Sequence, residues 1–215
     1  MKVSIIQFPG TNCEKDTAYA FDKLGAKTEI IWHENSNFES DLIVLPGGFS
    51  YGDYLRSGAI AKFSPAINTL KTHVKNGGFV LGICNGFQIL LELGLLKGAM
   101  KHNKNLSFIS KDQKLKIVSN DNIFLKEFKN DEIITLPIAH GEGNYYIDND
   151  ELKYMQDNDM IILKYINNPN GSVDDIAGIC DKNKKIFALM PHPERACEKI
   201  LGNDIGLKML RGFMF

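Results

Sequence analysis

Residues 80 to 86 read Val-Leu-Gly-Ile-Cys-Asn-Gly, an apolar run entering a Gly-X-Cys-X-Gly turn. A side chain at the middle of such a turn is thrust outward where a strand gives way to a helix. Gly82 and Gly86 permit the sharp bend, and the helix that follows points its first amide hydrogens at any anion placed there. Cys84 is therefore a candidate nucleophile. Residues 186 to 194 read Ile-Phe-Ala-Leu-Met-Pro-His-Pro-Glu, a short apolar run ending in His192, with Glu194 two positions on. Extended backbone repeats its side-chain direction every second residue, and Pro191 and Pro193 favour that geometry, so both side chains are expected on one side of the chain. A thiol, an imidazole to take its proton and a carboxylate to orient the imidazole make an activated nucleophile. The competing reading of Cys84 alone is a buried cysteine filling a tight βα connection.

Strands and helices in alternation must bring these segments together. Residues 2–8, 28–32, 42–46 and 79–83 are short apolar or β-branched runs stopped by Gly, Pro or polar residues, as buried strands are. Between them Glu14 to Leu24 has helical spacing with Ala18, Phe21 and Leu24 inward, and Ile67 to Val74 turns Leu70 and Val74 inward. The pattern predicts an α/β fold with an open, mostly parallel sheet and helices on both faces. Gly86 to Leu96 reads as the helix after the turn, with Phe87, Ile89, Leu90 and Leu93 apolar and its close near Gly94 or Gly98. In the second half, 106–109, 114–118, 133–138, 161–166, 175–180 and 186–190 are expected as strands joined by Asn, Asp and Gly turns. A last helix is expected near 203–213. This is an antiparallel excursion inserted before the strand that leads to His192.

Composition excludes several classes. A chain of 215 residues that is 44% hydrophobic can bury one core and is short for two, so 1–215 is read as a single domain. The net charge is -1, and three arginines, Arg56, Arg195 and Arg211, stand among 22 lysines that form no dense block, which speaks against nucleic-acid binding as the main task. No apolar run approaches the ~20 residues of a membrane span, and a cytoplasmic location is expected. Cys13, Cys84, Cys180 and Cys197 show neither close pairing nor zinc-type spacing, so neither a disulfide nor a structural metal is expected. Neither a Gly-X-X-X-X-Gly-Lys-[Ser/Thr] phosphate loop nor a Gly-X-Gly-X-X-Gly turn after the first strand is present, and no cofactor is expected in this chain.

Five stretches, in order, carry a family resemblance: Phe-Pro-Gly-Thr-Asn-Cys at 8–13, Leu-Pro-Gly-Gly-Phe-Ser-Tyr-Gly-Asp-Tyr-Leu-Arg-Ser-Gly-Ala at 45–59, Gly-Ile-Cys-Asn-Gly-Phe-Gln-Ile-Leu at 82–90, Pro-Ile-Ala-His-Gly-Glu-Gly-Asn-Tyr at 137–145 and Pro-His-Pro-Glu-Arg at 191–195. Together they resemble the class I glutamine amidotransferases, whose sheet is flavodoxin-like, and within them the branch that serves as a separate small glutaminase subunit in the purine pathway. The chain departs from the family pattern at Phe108 to Val118, which is more polar than usual, and at Lys97, where proline is common.

The resemblance implies glutamine as substrate and Cys84, His192 and Glu194 as the catalytic set. The amides of Gly48 and Asn85 would receive the oxyanion of the tetrahedral intermediate. Gly47, Gln88, His140, Gly141 and Glu142 match positions that bind glutamine. Asn12 and Cys13 are expected in core or partner-facing roles, and Asp53, Tyr54 and Arg56 as interface residues or a solvated helix start. The resemblance further implies partners: a large synthetase subunit using ATP and Mg2+ to convert formylglycinamide ribonucleotide to formylglycinamidine ribonucleotide with the ammonia supplied, and a small accessory subunit. Three other readings stay open: an amidotransferase for another acceptor, a cysteine hydrolase of the peptidase or deglycase type, and a scaffold that has lost turnover.

Overall fold

The computed structural model describes residues 1–214. In chain order the elements are β1 (Lys2–Gln7), α1 (Glu14–Lys23), β2 (Lys27–Trp32), β3 (Leu42–Leu45), α2 (Ala66–Lys75), β4 (Phe79–Ile83), α3 (Asn85–Glu92), β5 (Ala99–Lys101), β6 (Ile109–Ile117), β7 (Ile133–His140), β8 (Asn144–Tyr146), α4 (Asn149–Asp157), β9 (Ile161–Tyr165), β10 (Ile176–Cys180), β11 (Ile186–Leu189) and α5 (Ile205–Arg211).

Nine strands form one sheet in the order β2-β1-β3-β4-β11-β10-β9-β6-β7. The first five are mutually parallel, in the 2-1-3-4-5 order of the doubly wound flavodoxin-like fold. β2 lies to one side of β1 and β4 to the other side of β3, so right-handed crossovers place α1 and α2 on opposite faces. Strands covered on both faces bury every side chain, and Leu42 to Leu45 are all buried. The antiparallel excursion extends the far edge of the same sheet through β10, β9, β6 and β7, while β5 and β8 form a separate pair.

Several boundaries differ from expectation for local reasons. Residues 106–109 do not form a strand of their own: Leu106 has φ 56° and the Asn105 side chain accepts from the Ser107 amide at 3.2 Å, making a turn. β6 instead runs unbroken from Ile109, because eight residues pair with β7 and Gln113, Leu115 and Ile117 are buried on one face of the strand. α3 stops at Glu92, short of Leu96 but with the expected close at Gly94, which takes φ 67°. α4 was not foreseen, although its signal is local: the Asp148 side chain caps the helix by accepting from the Glu151 amide at 2.9 Å. In α1, Thr17, Ala20 and Phe21 are buried, whereas Ala18 and Leu24 pack at the margin of the core.

Candidate active site

Cys84 sits between β4 and α3 with φ 50° and ψ -104°, outside the regions L-residues favour, a conformation costing roughly 1–3 kcal/mol. Its surroundings hold it there. The Cys84 amide donates to the Leu189 carbonyl at 2.8 Å, and its own carbonyl accepts from Phe87 and Gln88 at 3.0 and 3.2 Å, closing the first turn of α3. A Cβ on Gly86 would run into the Leu45 carbonyl; only glycine lets α3 press so closely on β3. Asn85 is the first residue of α3, so its amide has no carbonyl four residues back in the helix.

His192 and Glu194 arrive from β11, in a way the sequence misjudged. The strand ends at Leu189, and Pro193–Arg195 form a 3-10 turn rather than extended chain. The turn itself brings His192 Nδ1 to 2.6 Å from Glu194 Oε1, with both residues buried. A carboxylate only accepts, so Nδ1 carries the proton and Nε2 is left to face a nucleophile. Burial would depress the His192 pKa, but the Glu194 carboxylate, then the Cys84 and Cys13 sulfurs, hold it well above the ordinary histidine value. Among the described residues Nε2 has no hydrogen-bond partner.

The first strands supply the opposite wall. The loops after β1 and β3 meet in a bridge between Thr11 and Gly48, at the strand carboxyl ends where open α/β sheets bind ligands. Gly48, Phe49, Cys84 and His192 line a cavity of about 220 Å³. An adjoining one of about 210 Å³ shares Gly48 and Cys84 and adds Gln88, His140, Gly141 and Glu142. Cys84 thus stands where two lobes meet. Gly47, expected as a substrate contact, is on the wall of neither lobe; a Cβ there would lie 2.7 Å from His192 Cε1, so its bareness makes room for the imidazole. Asn85 uses its side chain as a brace, accepting from the Ser50 amide at 3.1 Å and donating to Gln88 Oε1 at 2.9 Å. Gln88 is buried rather than solvated and donates to the Glu142 carbonyl at 2.6 Å.

Three residues carry more of the site than their sequence suggested. Asp53, expected as an interface residue or in a solvated helix start, faces the second lobe, and burial followed by the nearby Glu142 charge raises its pKa to about 6. Tyr54 is exposed and Arg56 pairs with Glu92, as solvated residues do. Asn103, with no motif to mark it, is fully buried. Its amide nitrogen donates to the His140 carbonyl at 2.8 Å, and its oxygen accepts from Gly143 N and His140 Nδ1 at 3.0 Å each. His140 is consequently fixed and neutral, its pKa lowered to about 4 by burial and by His192. Cys13 caps α1 and lines the first lobe; burial pushes its thiol above the usual range against the opposing effect of His192.

A doubly wound sheet that presents a strained cysteine, a histidine and a glutamate at its carboxyl edge defines an amidotransferase-type thiol site. The chain belongs to the CobB/CobQ-like glutamine amidotransferase domain family, whose sequence model matches residues 1–209. It is 74% identical over 214 residues, covering 100% of this chain and 96% of the relative, to the phosphoribosylformylglycinamidine synthase subunit PurQ of Campylobacter jejuni. It is 56% identical, covering 100% and 99%, to the subunit of that name from Sulfurimonas denitrificans. Among solved structures it is similar to a chain in the structure of PurLQS from Thermotoga maritima, with a TM-score of 0.91, 38% identity and coverage of 99% and 97%.

Proposed function

We propose that this chain is the glutaminase subunit of a phosphoribosylformylglycinamidine synthase, with residues 1–215 acting as one glutamine amidotransferase domain. It hydrolyses glutamine to glutamate and ammonia, and the ammonia passes to a large synthetase subunit that uses ATP and Mg2+ to convert formylglycinamide ribonucleotide to formylglycinamidine ribonucleotide. A small accessory subunit completes the complex, which works in the cytoplasm; among the described residues no helix is long and apolar enough to cross a membrane. The observation that carries the reading is the buried His192–Glu194 pair facing Cys84 across a shared cavity, in a chain matched along its length by subunits of that name.

The chemistry follows from the positions. Cys84 gives its proton to His192 Nε2 and attacks the glutamine amide carbon, while the amides of Asn85 and Gly48 receive the developing oxyanion. His192 then protonates the leaving nitrogen so that ammonia departs, and water, deprotonated by the same imidazole, cleaves the thioester. Glu194 holds Nδ1 and stabilises the imidazolium without taking its proton. The second lobe holds the amino-acid end of glutamine: Gly141 and Glu142 by backbone, Gln88 and His140 by framing the wall, and the paired acids Asp53 and Glu142 by attracting the ammonium group. The test is glutamine-dependent amidine formation in the assembled enzyme. Cys84→Ala abolishes it and ammonium salts restore it; failure of ammonium to restore it overturns the assignment.

A further inference from the structure

The loop between β9 and β10 lines neither lobe of the site, yet it buries two polar side chains, Asn170 at 0% and Ser172 at 4% exposed. Residues of these types are mostly solvated, and here both converge on one atom. Asn170 Nδ2 donates to the Gly143 carbonyl at 2.7 Å, and Ser172 Oγ lies 3.1 Å from the same oxygen, which has two lone pairs to offer. Asn170 Oδ1 accepts from the Ser172 amide at 3.1 Å, which sets the orientation of the Asn170 side chain. The Asn170 backbone carbonyl accepts from the Lys104 amide at 2.8 Å, so the same loop also grips the neighbour of Asn103. Its backbone is costly to hold: Asn167, Asp174 and Asp175 take φ between 51° and 57°. At Gly171, with φ 90°, a Cβ would lie 2.9 Å from Lys104 Cβ.

Gly143 ends the segment whose other members, His140, Gly141 and Glu142, line the second lobe. Three successive carbonyls of that segment are each held from a different direction. The Gly141 oxygen accepts from the Asn103 amide at 2.9 Å, the Glu142 oxygen from Gln88 Nε2 at 2.6 Å, and the Gly143 oxygen from the 170–172 loop. A planar peptide unit turns as one body, so fixing the carbonyls fixes the amides that belong to the same units. We infer that Asn170 and Ser172 are positioning residues for glutamine, a role that rests on the glutaminase reading: their grip on the Gly143 carbonyl holds residues 140–143 in the shape that receives the amino-acid end of the substrate. They touch no reacting atom and act through Gly143. A segment held in advance binds more tightly, because its ordering is not charged against the ligand. Cys84 is held separately, by the Leu189 carbonyl and the first turn of α3, so a loosened grip weakens affinity and leaves the nucleophile in place.

The assembled enzyme is assayed with Asn170→Ala and, separately, with Ser172→Ala. Asn170→Ala raises KM for glutamine at least about 5-fold, the scale of one buried hydrogen bond, with kcat little changed. Ser172→Ala raises it at least about 2-fold, since Asn170 still holds the oxygen. Amidine formation driven by ammonium salts is unchanged in both, which reports an intact fold and assembly. A second readout needs no turnover: iodoacetamide alkylates Cys84, as mapped by mass spectrometry, and glutamine protects it. The half-protective glutamine concentration rises with KM, while the alkylation rate without glutamine stays the same, a split that a general loss of structure would not give. Unchanged KM and unchanged half-protective concentration in Asn170→Ala overturn the role; if that variant does not assemble, the Ser172→Ala values decide in its place. A fall in ammonium-driven activity equal to the fall in kcat, with KM unmoved, also overturns it, by showing that the loop only stabilises the fold. Glutamine that neither protects Cys84 nor is hydrolysed in the unmutated enzyme overturns the glutaminase reading and the role with it, and is told apart because it appears before any substitution is made.

Discussion

His192 Nδ1 lies 2.6 Å from Glu194 Oε1 inside a single 3-10 turn, so imidazole and orienting carboxylate are built by adjacent backbone and need no tertiary contact to find each other. Glu194→Gln keeps the shape and removes the charge. The amide can present its NH2 to Nδ1 and stabilise the wrong tautomer, so kcat for glutamine hydrolysis should fall about 10²- to 10⁴-fold, the upper end being the loss known for a triad Asp→Asn. Steady-state glutaminase assays at saturating glutamine measure it; a change under 10-fold would remove Glu194 from the mechanism.

Gly86→Ala should destabilise the fold. The new methyl meets the Leu45 carbonyl, which belongs to a strand buried on both faces, so α3 must lift from β3. Overpacking of this kind costs about 1–3 kcal/mol. Urea unfolding followed by circular dichroism gives the loss as a lower midpoint at unchanged slope.

Acid should weaken the fold through His140. Its folded pKa of about 4 lies below the unfolded value of about 6.5, so the unfolded chain binds more protons between these limits. The contribution is complete above pH 6.5 and is lost as pH falls toward 4, an effect of up to about 3 kcal/mol at 1.36 kcal/mol per unit. His140→Gln removes this segment of the pH–stability curve, which denaturant titrations at successive pH values would display as a flatter slope between 6.5 and 4.

Asp53 should report on substrate binding. Its pKa of about 6 means that the carboxyl is neutral in mild acid and charged above it. If it attracts the glutamine ammonium group, KM falls as pH rises through 6, and Asp53→Asn raises KM at pH 8 by roughly 10-fold or more, the scale of a charge-assisted hydrogen bond, with kcat little changed. A KM that is flat with pH in the unmutated enzyme would place Asp53 outside the binding site.

Asn103→Ala tests the brace behind His140. It strands the His140 and Ser107 carbonyls, the Gly143 amide and the His140 ring nitrogen, the partners that Asn103 satisfies. Leaving buried groups unmet costs about 1–3 kcal/mol each where water cannot replace the partner. Thermal unfolding should show a clear loss, with KM for glutamine raised as the 140–143 segment loosens.

The parallel half of the sheet, the Cys84 turn and the proximity of His192 to Glu194 were legible in the sequence, because each depends on local chemistry: apolar runs, glycines that permit a bend, two residues one turn apart. Even there, the 3-10 geometry at Pro193 escaped a reading based on alternation, since proline φ suits both forms. Local signals could not reveal that β6 would run through Lys111 and Asp112, because that strand is held by its ladder with β7 rather than by its own apolarity. Nor could they find Asn103, the inward turn of Asp53, the withdrawal of Gly47 behind the imidazole, or the meeting of Cys13 with His192. Those depend on which loops share the carboxyl edge, and that edge is set by strand order: burial of the apolar faces of nine strands in one sheet fixes the neighbours, and the neighbours decide which polar groups meet.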